Sequence, residues 1–232
     1  MRIAFISDIH GNYDAFKAVL KDIKKLKVDK VYCLGDIVNY YYEPHKCINI
    51  LIQKKIKSIK GNHENILFET LKNKKKRNYY SKIYGHSINV NIEKLKRKHL
   101  IFLKKLKKRI TIKIKDIKII LAHGTPWSLN TYIYPNFKNK IKNSLRKYRA
   151  DYIFLGHTHI PMNIKINKKT SIINPGSVGQ PRNKCNNACW AIFDTENREI
   201  NFIETKYKKK KLIQNINKYE GAKSKLKKYF VN

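Results

Sequence analysis

Five short apolar runs in this chain, rich in β-branched residues, each end on Asp, Asn or His. Ile3-Ala4-Phe5-Ile6 leads into Ser7-Asp8-Ile9-His10-Gly11-Asn12, Val31-Tyr32-Cys33-Leu34 into Gly35-Asp36, and the stretch through Ile59 into Gly61-Asn62-His63-Glu64. Residues 117–121 precede Ala122-His123-Gly124, and Tyr152-Ile153-Phe154-Leu155 precedes Gly156-His157-Thr158-His159. Runs of this length and composition predict buried strands. Side chains just past such strands turn into the crevice above a sheet. One Asp-x-His pair would be an ordinary solvated loop or helix cap. Five strand ends carrying oxygen and imidazole donors point to one shared site, suited to a metal.

Helical periodicity fills the intervals. Asn12 can cap a helix in which Tyr13, Phe16, Val19, Leu20, Ile23 and Leu26 recur at three- and four-residue steps. Pro44 opens a second helix bearing Ile48, Leu51, Ile52 and Ile56, which predicts β-α-β units with parallel pairing. Between Ile66 and Leu106 the pattern predicts two or three lysine-rich helices that cover a sheet. A further helix is expected over 136–148. Beyond Pro161, residues 162–166, 170–173, 189–194 and 199–205 read as antiparallel strands. The stretch 208–230 reads as a helix that docks back on the body, broken at Gly221, with fraying last residues. A chain of 232 residues can bury a full core, and a single domain over 1–232 is expected.

The net charge of +36 is compatible with attraction to nucleic acid, anionic membranes or phosphorylated substrates. Only eight of the 52 basic residues are arginine, and the lysines spread over the whole chain beside abundant Ile and Asn. That usage fits the drift of an A/T-rich genome, with solvated basic faces as the ordinary reading. A dedicated nucleic-acid surface would be sought at 74–77, 107–109 and 208–211. Cys33, Cys47, Cys185 and Cys189 are too few and too irregular for a disulfide framework and read as free thiols. No 18-residue apolar stretch occurs and the N-terminal run is short for a signal peptide, so a cytoplasmic protein without a membrane span is expected.

Taken together, Asp8-Ile9-His10-Gly11-Asn12, Gly35-Asp36, Gly61-Asn62-His63-Glu64, His123-Gly124 and Gly156-His157-Thr158-His159 resemble the motif set of the calcineurin-like metallophosphoesterase superfamily. Residues 7–20, His123-Gly124-Thr125-Pro126 and the segment from Asn174 through Gln180-Pro181-Arg182 are further similar to its small prokaryotic phosphodiesterase-like branch. The resemblance implies an α/β fold, a four-layer α-β-β-α sandwich with mixed sheets and a dinuclear metal site at the strand ends. It also implies that Asp8, His10 and His159 hold one metal, Asn62, His123 and His157 the other, and that Asp36 bridges them. Carboxylate, amide oxygen and imidazole suit two divalent transition-metal ions, manganese foremost, with iron, zinc, cobalt or nickel as alternatives. The implied activity is a hydrolase: a phosphodiesterase or phosphatase using in-line attack of a metal-bridging hydroxide, with nucleotide-type diesters favoured.

By the same resemblance His63 is the catalytic histidine, and Glu64 would orient it if its side chain reaches. Asn12 is a candidate for substrate phosphate as well as for the helix cap. Among Tyr40, Tyr41 and Tyr42, Tyr41 is the candidate to stack on a base, with packing under the Pro44 helix as the alternative. Asn39 can accept a left-handed conformation where relatives have a glycine-rich turn, and an acidic loop common in relatives is replaced by Asn183-Lys184-Cys185-Asn186-Asn187. The turn at Asn174-Pro175-Gly176-Ser177 reads as structural support, and His45, His86 and His99 read as surface residues. The competing functions are a non-catalytic metal-binding interaction scaffold and an RNA-associated basic protein.

Overall fold

The computed structural model describes residues 1–182 and 186–229, so Cys185, most of the replaced loop and the expected fraying end lie outside them. Strand β1 (Arg2–Ile6) alternates, with Ile3 and Phe5 on one face and Ala4 and Ile6 on the other, and all four are buried. A strand buried on both faces needs a layer on each side. It runs parallel to β2 (Lys30–Cys33) and antiparallel to β9 (Ala188–Asp194). With β3 (Lys57–Ser58) and β10 (Glu199–Thr205) it forms a mixed sheet of order β10-β9-β1-β2-β3. The second mixed sheet joins β4 (Arg109–Ile114), β5 (Ile117–Ala122), β6 (Tyr152–Phe154), β7 (Pro161–Lys165) and β8 (Ser171–Pro175) in the order β4-β5-β6-β8-β7.

Ile3, Phe5, Leu34, Ile119, Leu121, Phe154 and Ile173 form the core between the sheets, where the Phe5 and Phe154 rings stack 3.6 Å apart. Burying each such side chain contributes about 1.5–3 kcal/mol. On the outside, α1 (Tyr13–Lys25) and α2 (Pro44–Gln53) cover the first sheet through Phe16, Val19, Ile48 and Leu51. Leu145 of α7 (Asn139–Arg146) covers the second. The result is the expected four-layer α-β-β-α sandwich, with both sheets ending toward one crevice.

Four expectations about elements need correction. The segment after Gly61 holds four helices, not two or three: α3 (Asn62–Lys72), α4 (Lys74–Tyr84), α5 (Ser87–Lys94) and α6 (Arg97–Lys105). Caps divide it where hydrophobic period does not: the Asn73 side chain accepts from Lys76 N at 3.1 Å, and Gly85 ends α4 at φ 76°. Strand β8 pairs parallel with β6 as well as antiparallel with β7, a choice that alternation alone cannot register. Helix α7 is shorter than 136–148. Lastly, His99 is 2% exposed rather than a surface residue: its Nδ1 accepts from Lys96 N and its Nε2 meets Asn49, so it closes the start of α6.

The C-terminal helix α8 (Lys210–Glu220) does dock back, placing Leu212 and Ile216 against Tyr41, Tyr42 and Val90, and it ends at Gly221. Cys33, Cys47 and Cys189 are buried free thiols. No helix among the described residues is long and apolar enough to cross a membrane.

Candidate metal centre

Asp8 and His10 follow β1, Asp36 follows β2, His123 follows β5, His157 and His159 follow β6, and Asn62 opens α3. Asp8, His10, Asp36, His157 and His159 all have φ between 50° and 68°. An L-residue in the left-handed region costs roughly 1–2 kcal/mol, and such strain persists only where the surroundings over-determine it. Here they do. Asp8 N donates to Gly35 O at 3.0 Å, His10 N to Asp36 O at 2.9 Å, and the Asp8 carbonyl accepts from Gly179 N and Ser177 Oγ. The Asn174–Ser177 turn therefore supports the first loop, as expected. Gly61 is required for close approach: a Cβ there would fall inside the Asp36 carboxylate.

The donor atoms gather into two groups, Asp8 with His10 and His159, and Asp36 with His123 and His157, each with ligand atoms within 4.8 Å of one another. Asn62 Oδ1, 3.0 Å from His123 Nε2, joins the second group. Asp36 Oδ2 stands between the groups, 3.1 Å from His123 Nε2 and 3.8 Å from His10 Nε2. Three imidazoles are held from behind by carbonyls: His10 Nδ1 by Val38 O, His123 Nδ1 by Leu34 O and His159 Nδ1 by Gln180 O, at 2.8–3.0 Å. Those carbonyls only accept, so each Nδ1 carries a proton and each Nε2 faces inward.

This arrangement fits cations. His10 Nε2 and His159 Nε2 lie 3.2 Å apart, and two lone pairs at that distance repel unless positive charge lies between them. His123 Nε2 faces two oxygens that only accept. Asp8 Oδ1 and His157 Nε2 are buried with no hydrogen-bond partner. A buried polar group in that condition costs about 1–3 kcal/mol, more if charged, so a ligand at these atoms stabilises the fold.

The electrostatics agree. Burial pushes the Asp8 and Asp36 carboxyls up, but the neighbouring imidazoles, led by His159 and His123 respectively, hold both below the usual range. Burial and then the His63 ring push His10 well down, and burial with His123 pushes His157 down to about 4, so both present lone pairs at neutral pH. Burial works against charge on His123, yet Asp36 and Asp8 outweigh it and raise it to about 10, marking the place where positive charge is favoured most.

His63 lies among these donors but is held differently. Asn39 Nδ2 is 3.2 Å from both His63 O and His63 Nδ1. The carbonyl only accepts, which fixes the amide nitrogen on that side; Nδ1 then accepts too, and the ring proton sits on Nε2. Burial pushes His63 down to about 4, so it is neutral at pH 7. Glu64 does not reach it. The Glu64 carboxylate accepts from Gly61 N, Asp36 N and Ile37 N at 2.7–3.0 Å, pinning the second loop to the start of α3. Burial and the Asp36 charge push Glu64 up to about 7, against those donors. Asn39 itself takes φ 65° and is anchored through its N–H to Asn91 Oδ1 at 2.8 Å. The sequence signalled only its tolerance of that conformation.

Two substrate candidates are corrected. Asn12 is the cap of α1, accepting from Ala15 N, and its amide donates to Gly179 O and Tyr207 OH, so at 1% exposure nothing of it is left for a phosphate. Tyr41 is 0% exposed, with Gln180 Nε2 donating to its hydroxyl, and offers no ring face to a base. The rings beside the centre are others: Tyr40 and Tyr84 pack on His63 at 5.0 and 4.8 Å, and Tyr132 lies on His157 at 3.8 Å.

A family model described as the calcineurin-like phosphoesterase superfamily domain matches residues 1–198. The protein MJ0912 of Methanocaldococcus jannaschii is 34% identical over 233 residues, 92% of this chain and 91% of that protein. Symmetrical bis(5'-nucleosyl)-tetraphosphatase of Buchnera aphidicola is 32% identical over 141 residues, 56% of this chain and 48% of that enzyme. Among solved structures, a metallophosphoesterase from Sphaerobacter thermophilus superposes with a TM-score of 0.78 at 28% identity, covering 94% of each chain.

Proposed function

Because the chain belongs to the calcineurin-like phosphoesterase superfamily, we propose that it hydrolyses phosphoesters, nucleotide-type diesters foremost, at a centre that takes two divalent transition-metal ions. The observation that carries this is the buried meeting of inward-facing His10, His159 and His123 nitrogens with the Asp8 and Asp36 carboxylates. Asp8, His10 and His159 would hold one ion, and Asn62, His123 and His157 the other, with Asp36 shared. Such ions supply an activated water and positive charge for the phosphoryl oxygens. The preference for nucleotides draws on the bis(5'-nucleosyl)-tetraphosphatase relative and on the rings beside the centre.

The protein's own groups divide the remaining work. Carbonyls behind the three histidines keep each ring in one tautomer, so no proton need be rearranged when a ligand arrives. Neutral His63, its proton set on Nε2 by Asn39, donates a hydrogen bond to a phosphoryl or leaving oxygen as negative charge develops there. Glu64 holds the Asp36 loop and α3 in one geometry. The test is hydrolysis of phosphomonoesters and phosphodiesters after chelation and after return of manganese, iron, zinc, cobalt or nickel. Metal-restored turnover with diesters ahead is expected; turnover indifferent to chelator overturns the reading.

A further inference from the structure

Among the described α-helices, α4 alone buries no residue. It nevertheless carries Tyr79, Tyr80, Ile83 and Tyr84, with Tyr79 58% and Ile83 52% exposed. These side chains are not there to fill the core. Lys76, Tyr80 and Tyr84 stand four residues apart and so line one face. Lys76 Nζ lies 5.9 Å from the Tyr80 ring, Tyr80 and Tyr84 stack at 6.1 Å with 21° between planes, and Tyr84 meets His63 edge-on at 4.8 Å. The stripe thus runs from open surface to the candidate metal centre.

Charge follows the same path. Lys74, Lys75, Lys76 and Arg77 form the outer turn of α4, and Lys74 and Lys75 are exposed. Glu69 engages Lys76 Nζ at 3.5 Å and accepts from Tyr80 OH at 3.2 Å, which fixes the tilt of that ring. On the opposite side of the mouth Tyr132 is 47% exposed. It lies close enough to Tyr84 that, after burial, it is the largest influence raising the Tyr84 phenol to about 12. A row of ring faces beside a cationic run is how single strands are bound: bases stack in turn while phosphates track the positive charge.

We propose that α4 is the entry track for a single-stranded nucleic acid, whose bases stack on Tyr80 and Tyr84 and whose phosphates follow Lys74, Lys75 and Arg77. The strand binding stands on α4 alone; its sequel, cleavage of the phosphodiester delivered beside Asp8 and Asp36, rests on the phosphoesterase reading. That cleavage is hydrolysis: the water oxygen bonds phosphorus, one P–O bond breaks, and the leaving sugar oxygen takes a water proton. The duplex is excluded because its bases have no free faces for the rings.

The experiment is fluorescence anisotropy with 5′-fluorescein-labelled octathymidylate in EDTA, with inorganic polyphosphate as a competitor that carries charge without bases. Tyr80→Leu should weaken octathymidylate by about 5- to 150-fold, the range of one lost stacking partner, and leave polyphosphate affinity within about two-fold. Tyr80→Phe, which keeps the ring, should bind as the wild type does. Lys74→Glu with Lys75→Glu should lower the slope of log affinity against log salt by about 1. Unchanged octathymidylate affinity in Tyr80→Leu, or equal weakening of both polyanions, overturns the track. Ring-dependent binding without cleavage in any metal would sink the phosphoesterase reading and leave the track standing. Cleavage of methyl p-nitrophenyl phosphate by a protein whose strand affinity ignores Tyr80 would do the reverse.

Discussion

The strand-end loops and helix α4 lie within one ring contact of each other, at Tyr84 and His63, and are built on opposite terms. Asp8, His10, Asp36 and His123 are 0–1% exposed, and the first three sit in left-handed backbone. Every donor there is set by a carbonyl, an N–H or a glycine behind it. Helix α4 buries nothing and is bounded by one side-chain cap and one glycine. The loops hold polar groups that solvation would otherwise satisfy, at a cost met only by rigid surroundings and a ligand. The helix meets water on its own terms. A change of one atom should therefore be ruinous in the loops and nearly silent on α4.

The largest effect is expected at the shared carboxylate. Asp36→Asn should remove both metals and nearly abolish turnover, since one charge serves both groups; two tightly held ions with normal turnover would refute the shared role. His63→Ala should lower turnover by ~10²–10⁴-fold while metal content stays unchanged. Loss of metal in that variant would make His63 a ligand instead, and would blur the division between holding and reacting groups.

Glu64→Ala separates support from chemistry. It strands the N–H groups of Gly61, Asp36 and Ile37, and each buried orphan costs about 1–3 kcal/mol, so the urea midpoint should drop sharply. A drop no larger than that of a surface variant would show that the loop is held by other means. At the small end, Lys82→Ala on α4 should change stability by no more than about 0.5 kcal/mol. A larger loss would mean that α4 is tied to the body more tightly than its exposure indicates.

What the sequence disclosed follows the same divide. The gathering of Asp8, His10, Asp36, Asn62, His123, His157 and His159 was readable because residue type and strand-end position together dictate it. The four layers were readable from period-two and period-3.6 patterns. Position within a buried network was not. Glu64 looked like a partner for His63 because it follows in sequence, yet the first turn of α3 aims its longer side chain back at the Asp36 loop. Asn39 took the place beside His63, through a left-handed turn that leaves no mark except an asparagine. Tyr41 and Tyr84 reversed roles for a related reason: adjacency to Asp36 put Tyr41 under α8, while Tyr84 arrived from 48 positions away. Helix boundaries between 62 and 105 escaped because lysine-rich segments carry little apolar contrast and the caps are single residues.

The most direct test is the metal content of the wild-type protein, purified without chelator and measured by elemental analysis against chain concentration. The account predicts two divalent transition-metal ions per chain, both lost on acidification as protons compete for the imidazoles. A protein that binds none when offered manganese, iron, zinc, cobalt or nickel, and still hydrolyses phosphodiesters, would contradict it.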